Sequence, residues 1–146
     1  MSDCRESVEI NAPPDRVFPY LFEPEKLIQW VDGLSSINGA PAGAPSIGTR
    51  VTYVLETKGR RQEVVSETTR IESDRLLEGR QFAKGWESLG LQERAPIDGG
   101  TRLTVTCTYS YGSHVLRLLA PLIEWQARKK VRRDLLGLKR VIEAEK

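Results

Sequence analysis

The longest regular pattern in the sequence is an amphipathic helical repeat in the C-terminal part of the chain, from Ser113 to Glu145. Its apolar residues recur at spacings of three and four, which indicates one apolar stripe along a helix. No earlier segment has a helical pattern of comparable length, so the rest of the chain must supply the surface that covers this stripe. The stripe consists of Leu116, Ala120, Ile123, Ala127, Val131, Leu135, Leu138 and Ile142.

Before this helix, apolar and polar residues alternate in short runs separated by turn residues, a pattern typical of antiparallel strands. Asp98-Gly99-Gly100 is a strong hairpin signal between two such runs. The sequence therefore predicts an α+β fold in which a curved antiparallel sheet of seven strands wraps around a long C-terminal helix. The predicted strands are Glu6–Asn11, Leu34–Asn38, Thr49–Thr57, Gln62–Glu72, Leu76–Lys84, Trp86–Ala95 and Thr101–Tyr111.

Two short helices are predicted after the first strand. Pro14 suits the first position of a helix, because its missing N–H needs no partner there. Pro19 lies inside that helix and limits it to a couple of turns, and Pro24 begins a second helix that extends to Val31. Pro121 lies inside the C-terminal pattern in the same way and predicts a bend near the start of the long helix.

Length and composition are those of an ordinary globular protein. We expect residues 1–146 to form a single domain, since 146 residues are enough for one sizeable core. The net charge of +2 does not favour a nucleic-acid partner. No apolar run approaches the roughly 18 residues of a membrane span, so we expect no stable membrane insertion and a cytoplasmic location. Cys4 and Cys107, which are far apart in sequence, are expected to be free thiols.

The sequence contains none of the common metal or nucleotide motifs. His114 is the only histidine, and there is no HExxH, no phosphate-binding glycine loop and no GxSxG. We therefore expect neither a metal nor another cofactor. Cys107 and His114 formally offer a nucleophilic pair, but Cys107 lies in the middle of a strand, where a thiol usually serves as a small core residue.

Side chains that face inward in this arrangement define a candidate ligand-binding surface. Tyrosine and tryptophan suit a cavity for an oxygenated apolar molecule, because their rings supply contact area and their polar tips form hydrogen bonds. The same side chains would also fill an ordinary core, and the sequence leaves both alternatives open. The candidates are Trp30, Tyr53, Leu55, Phe82, Trp86, Tyr109, Tyr111, Leu119, Leu122 and Ile123.

Glu67 and Tyr109 are the candidates for catalysis. If Glu67 faces inward, desolvation raises its pKa and suits it to acid–base chemistry. The pattern around it is irregular, because Val65 and Ile71 have the same parity as Glu67. Either a bulge shifts the register and leaves Glu67 at the surface, or acidic side chains face the interior.

A dense run of basic residues lies in the C-terminal helix, at positions 128–130 and 132–133. Helical spacing places most of these side chains on the solvated face, which is the simplest explanation for them. Binding of acidic lipid headgroups at this surface, or a homodimer interface, stays open as an alternative.

Four segments carry a family resemblance in their order along the chain. They are SVEINAPPDRVFPYLFEPEKLIQWV, Gly48-Thr49-Arg50, Gly100-Thr101-Arg102-Leu103 and the C-terminal LLGLKR. Together they resemble the polyketide cyclase/dehydrase branch of the START-like superfamily, which is also called SRPBCC. The resemblance implies a helix-grip fold whose largely apolar cavity, between the sheet and the C-terminal helix, binds a small hydrophobic molecule such as a lipid or a polyketide.

The same resemblance implies an alternative function in the same cavity. It is that of a polyketide cyclase/aromatase or dehydratase working without a metal or nucleotide cofactor. The fold alone does not decide between a carrier and an enzyme, because it supports both.

Overall fold

The computed structural model describes residues 2–72 and 75–145. Seven strands of this part of the chain form one antiparallel sheet in the order β1-β7-β6-β5-β4-β3-β2. The sheet is curved, as predicted, and its first strand pairs with its last. The strands are β1 (Ser2–Ile10), β2 (Leu34–Asn38), β3 (Arg50–Thr57), β4 (Arg60–Glu72), β5 (Leu76–Ala83), β6 (Trp86–Ile97) and β7 (Gly100–Tyr111).

Four α-helices accompany the sheet: α1 (Pro14–Val17), α2 (Pro24–Trp30), α3 (His114–Leu118) and α4 (Ala120–Ala144). The two short helices after β1 confirm the prediction. A single 3-10 turn that contains Pro19 follows α1, because the proline ring and its missing N–H do not allow the α-helix to continue. Within the described residues, no helix combines the length and the apolar character that crossing a bilayer requires.

The C-terminal helical pattern is interrupted, which corrects the prediction of one helix beginning at Ser113. Helix α3 ends before Leu119, whose ψ angle is 0°, and α4 begins at Ala120. Pro121 lies in the first turn of α4. It explains the break, because a proline cannot donate the backbone hydrogen bond that would join the two helices.

The apolar stripe of α4 is packed most tightly at its C-terminal end. Leu138 and Ile142 are completely buried there against the concave face of the sheet, which is the face toward α4. Ile123 and Ala127, nearer the start of α4, are only half-buried. The core therefore occupies one end of the space between helix and sheet. It consists of Val8, Ile10, Ala12, Val17, Tyr20, Leu21, Leu103, Leu135, Leu138 and Ile142.

The segment at 100–103, one of the four that carry the resemblance, joins the start of β7 to the end of β1. A Cβ atom added at Gly100 would overlap the backbone carbonyl oxygen of Ile10. The buried hydroxyl of Thr101 donates a hydrogen bond to the carbonyl oxygen of Ala12 at 2.6 Å. This segment therefore has a structural role in fixing the turn that leads from β1 into α1.

A bulge in β4 explains the irregular pattern of that strand. The register between β4 and β5 shifts between Thr68 and Arg70. Glu67 consequently lies on the convex face of the sheet, where its carboxylate forms an ion pair with Arg50 at 2.8 Å. The hypothesis that Glu67 acts as an acid or base inside the fold is therefore wrong.

Candidate functional site

Three aromatic side chains form a continuous group on the concave face, beside the less tightly packed end of α4. Trp86 lies opposite Tyr111 across β6 and β7, and Tyr109 lies two residues before Tyr111 on the same face. The ring centroids of Trp86 and Tyr109 are 6.4 Å apart in an edge-to-face arrangement, and those of Tyr109 and Tyr111 are stacked at 6.5 Å. We call these three residues the aromatic group.

Each member of the aromatic group is half-buried although it faces the helix. Tyr53 and Leu55 on β3 lie on the same face of the sheet and are half-buried too, as is Ile123 near the start of α4. In a filled interior, large apolar side chains on the helix-facing side would be fully buried. Their partial exposure shows that the start of α4 does not completely cover β3–β7 on this face. We call this incompletely covered part of the concave face the open space.

A row of polar side chains crosses the concave face within this space. Ser66, Gln81, Ser88 and Tyr109 are successive cross-strand neighbours on β4, β5, β6 and β7. Burial raises the pKa of Tyr53 beside this row, and its hydrogen bond with Ser66 opposes that rise. The open space is therefore lined by aromatic rings and by groups that form hydrogen bonds.

The two cysteines meet at the edge of this row. Cys4 and Cys107 lie directly opposite each other on β1 and β7, and both are free thiols, as predicted. A hydrogen bond from Cys107 lowers the pKa of Cys4 to about 7, and burial offsets part of this effect. Burial, followed by the neighbouring thiols, raises the pKa of Tyr109 far above its usual value of 10.0. The Tyr109 hydroxyl is hydrogen-bonded to both cysteines, which ties the thiols to the polar row.

Glu124 is a candidate functional residue that the sequence analysis missed. It lies on α4, its side chain is only 6 % exposed, and its Oε2 atom accepts a hydrogen bond from the Tyr111 hydroxyl at 2.9 Å. Burial, together with this hydrogen bond, raises the pKa of Tyr111 to about 12. A signal was present in the sequence, because Glu124 lies four residues after Ala120 and three before Ala127, within the apolar stripe.

Two of the predicted ligand-binding residues lie elsewhere. Phe82 pairs with Glu87, one position away from Trp86, and therefore lies on the convex face. Its assignment to the interior was wrong because side chains alternate between faces along β5. The indole N–H of Trp30 donates a hydrogen bond to the carbonyl oxygen of Tyr20 at 2.8 Å, and its ring packs against the core rather than the aromatic group.

The two predicted leucines of the C-terminal helices are also displaced from the interior. Leu122 is 52 % exposed, because it lies on the side of α4 opposite the buried stripe. Leu119 is exposed at the break between α3 and α4. Of the three predicted helix residues, Ile123 is half-buried, whereas Leu119 and Leu122 are exposed.

A buried arginine lies farther along the concave face. Arg94 on β6 is almost completely buried, and its guanidinium lies 4.2 Å from the centre of the Phe18 ring. A cation over an aromatic face is stabilised by the ring quadrupole. Arg94 therefore brings positive charge to the interior. The sequence indicates this position only because Arg94 is an even number of residues from Trp86 and so lies on the same face of β6.

Two surface clefts are less suited to a hydrophobic ligand than the aromatic group. One, of about 400 Å³, lies between residues 22–25 and the loop at 40–43. A shallower groove of about 230 Å³ is lined mainly by side chains of the convex face, such as Arg80, Leu89 and Thr108. Among residues 2–72 and 75–145, no group of three or more His, Cys, Asp or Glu side chains is placed to hold a metal ion.

Solved structures with the same fold cover nearly the whole chain. TTHA0849 from Thermus thermophilus is 21 % identical over 98 % of both chains, with a TM-score of 0.79. Ara h 8.0201 is 14 % identical over 99 % of both chains, also with a TM-score of 0.79. DynU16, from the dynemicin biosynthetic locus, is 18 % identical over 100 % of this chain and 49 % of its own length, with a TM-score of 0.72. At these identities the likeness concerns the fold alone.

The sequence itself identifies the family. No curated protein matches the chain. A family model described as "Polyketide cyclase / dehydrase and lipid transport" matches residues 1–143. This match covers the complete sheet and nearly all of the helical segments. The chain therefore belongs to the polyketide cyclase/dehydrase and lipid transport family.

Proposed function

We propose that the protein binds a small hydrophobic molecule that carries oxygen substituents, in the open space between α4 and β3–β7. The observation that supports this proposal most directly is the aromatic group. Trp86, Tyr109 and Tyr111 face the helix and remain half-buried, so their rings are available to a ligand. Covering them with an apolar molecule would remove their remaining surface from water, which is favourable.

The polar groups in this space favour a ligand with ring and oxygen functions over a simple acyl chain. Ser66, Gln81 and Tyr109 lie in one row of polar side chains on the concave face. A bound carbonyl or hydroxyl oxygen would accept hydrogen bonds from these groups, which would otherwise lose water on ligand binding. The family description includes both polyketide chemistry and lipid transport, and this lining favours a polyketide-like class.

A fluorescence titration with a dihydroxyanthraquinone tests the proposal. We expect Trp86→Ala to weaken binding of this probe by about tenfold or more, since a stacking aromatic surface is lost. Phe82→Ala is the matched control, because Phe82 lies beside Trp86 on the neighbouring strand but on the opposite face. Binding by the control is expected to stay within about twofold of that of the unaltered protein. Equal effects of the two substitutions, or no binding at all, would refute the proposed site.

A second candidate function, proton transfer on the bound molecule, is favoured by the pair formed by Glu124 and Tyr111. A buried carboxylate next to a protonated phenol can remove a proton from a carbon between two carbonyl groups. In that step the C–H bond breaks, an O–H bond forms on Glu124, and the electron pair moves to a carbonyl oxygen. The Tyr111 hydroxyl would then donate a hydrogen bond to the resulting enolate.

Deuterium exchange at the central carbon of an aromatic 1,3-diketone, followed by NMR, tests this second function. Glu124→Gln is expected to slow the exchange by about a hundredfold while diketone binding is retained. Glu67→Gln serves as the control, because Glu67 lies on the convex face. Unchanged exchange in Glu124→Gln would eliminate the catalytic function and leave the binding function in place.

A further inference from the structure

The C-terminal helices expose a second set of large apolar side chains, on the side away from the sheet. Leu118 is 82 % exposed and Trp125 is 53 % exposed. The core does not account for them, because the opposite side of α4 already supplies its buried stripe. An exposed cluster of this size in a short segment marks a surface that contacts something apolar. The cluster consists of Val115, Leu118, Leu119, Leu122 and Trp125.

Basic side chains lie on the same exposed side of α4, nearer its C-terminus. Residues spaced three or four apart lie on one side of a helix. After Leu122, the exposed residues on this side of α4 are Trp125, Lys129, Arg133, Leu136 and Arg140. The ammonium of Lys129 lies 4.4 Å from the centre of the Trp125 ring. Between residues 122 and 140, this side of the described helix carries no acidic residue. We call the exposed apolar cluster and these basic residues the outer surface of α3 and α4.

Some of the cations near this surface already have partners within the protein. Arg132 forms an ion pair with Glu6 at 2.9 Å, and Arg133 lies 3.5 Å from Asp32. Both arginine side chains nevertheless remain about two-thirds exposed, at 65 % and 66 %. The pair of Arg133 with Asp32 is exposed at both ends and therefore weak, so the Arg133 guanidinium can still interact with an external anion. Glu6 is only 14 % exposed, so Arg132 is the more firmly held of the two arginines.

We propose that the outer surface of α3 and α4 docks on membranes that contain anionic phospholipids. Its apolar end fits the boundary between headgroups and acyl chains, and an indole such as that of Trp125 is favoured at this depth. The neighbouring cations complement phospholipid phosphates, and long basic side chains extend toward headgroups while their stems contact apolar surface. A helix with an apolar and a basic surface lies in the plane of the membrane and does not cross it.

The location of this surface links it to the proposed ligand space. Glu124 follows Leu122 on the same turn of α4, and its carboxylate is hydrogen-bonded to Tyr111 of the aromatic group. Docking would therefore bring the open end of the space close to the lipid surface, where a hydrophobic ligand concentrates. The transfer of a ligand between the membrane and the open space rests on the proposed function. The docking itself does not depend on it.

Sedimentation with phospholipid vesicles tests the proposal. We expect the protein to bind vesicles of phosphatidylcholine and phosphatidylglycerol at least about tenfold more tightly than vesicles of phosphatidylcholine alone. The preference is expected to shrink as salt is raised, because the cations are exposed. With brominated lipids, we expect quenching of fluorescence that is lost in Trp125→Phe. Failure of these vesicles to bind the protein overturns the proposal, whether or not the dihydroxyanthraquinone binds.

Matched substitutions separate this surface from general effects of charge and hydrophobicity. Lys129→Glu is expected to reduce vesicle binding about fivefold, and Arg70→Glu, a charge reversal on the convex face of β4, is expected to leave it unchanged. Leu118→Ser is expected to reduce binding by a similar factor. Its control is Ile47→Ser, since Ile47 is also highly exposed, in the loop before β3. All four side chains are exposed, so the variants should fold.

The oligomeric state of the protein gives a second test of the membrane-docking proposal. A second copy of the chain would cover the apolar cluster if the protein formed a dimer through it. Sedimentation equilibrium would then show a dimer that dissociates in Leu118→Ser, together with no preference for anionic vesicles. That result overturns membrane docking. A monomer that retains the vesicle preference supports it.

Discussion

Glu124 on α4 and Tyr111 at the end of β7 are joined by a hydrogen bond of 2.9 Å, donated by the phenol and accepted by the carboxylate. This bond ties the first turns of α4 to the sheet at the point where apolar packing is least complete. It also places an acid and a phenol beside the aromatic group. The pair is therefore a sensitive site for testing both the structure and the chemistry of the protein.

Glu124→Gln is expected to lower the pKa of Tyr111 by about one unit from its value near 12. The reason is that a neutral amide disfavours the phenolate less than a carboxylate does. Spectrophotometric titration of tyrosinate measures this change, and Tyr111→Phe identifies which transition belongs to Tyr111. An unchanged titration in Glu124→Gln would contradict the hydrogen bond.

The hydrogen-bonded pair of Glu124 and Tyr111 also predicts how the free energy of unfolding depends on pH. The folded-state pKa of Tyr111 is raised above the 10.0 of an ordinary tyrosine. Its contribution to stability is therefore complete below pH 10.0 and is lost as the pH rises toward 12. We expect the free energy of unfolding of Glu124→Gln to fall less steeply in this range, as measured by urea unfolding at several pH values.

Cys107→Ala is expected to raise the pKa of Cys4 from about 7 toward the usual value of 9.0, because the Cys107 thiol donates the hydrogen bond that stabilises the Cys4 thiolate. The ultraviolet absorbance of the thiolate as a function of pH gives the measurement. Cys4→Ala is the reference, because it removes the Cys4 transition and leaves Cys107, whose thiolate is still disfavoured by burial. A thiolate transition near neutral pH that survives Cys4→Ala would show that the assignment is wrong.

Leu138→Ala is expected to decrease the free energy of unfolding by about 2–5 kcal/mol, because Leu138 is 0 % exposed and its truncation leaves a cavity. Leu136→Ala provides the comparison on the same helix. Leu136 is 50 % exposed, so its replacement should change stability by no more than about 0.5 kcal/mol. Urea unfolding measures both, and similar losses would mean that the buried side of α4 is misassigned.

Gly100→Ala is expected to destabilise the protein by about 2 kcal/mol or more, since the new methyl group would collide with the carbonyl oxygen of Ile10. Gly43→Ala is the matched substitution, because no atom lies within 4 Å of a Cβ at that position. Its thermal unfolding temperature should equal that of the unaltered protein. A stable Gly100→Ala variant would argue against the close approach of β7 to the end of β1.

Much of the fold could be predicted, because its signals are local. The alternation along β7 and the hairpin signal at Asp98-Gly99-Gly100 predict β6, β7 and the turn between them. The positions of the prolines predict the two short helices after β1. The break at Leu119 was harder to place. Pro121 predicts a disturbance of the helix, but whether the chain bends or breaks depends on how α3 packs on the sheet.

The candidate site could be predicted only in part, because strand register decides it. Tyr109 and Tyr111 follow from the clean alternation of β7. The outward position of Glu67 depends on a bulge after Thr68, which no residue type at that point specifies. Phe82 was assigned to the wrong face for a similar reason. Its strand has too few apolar residues to define a face, so pairing with β6 determines its direction.

The graded burial of the α4 stripe has a consequence for how this protein can change over generations. Because the C-terminal half of the helix bears most of the packing, we expect substitution of half-buried residues such as Ile123 to cost less stability than substitution of Leu138. Substitutions near Ile123 can therefore alter the start of α4 while the packing at Leu138 and Ile142 keeps the architecture constant.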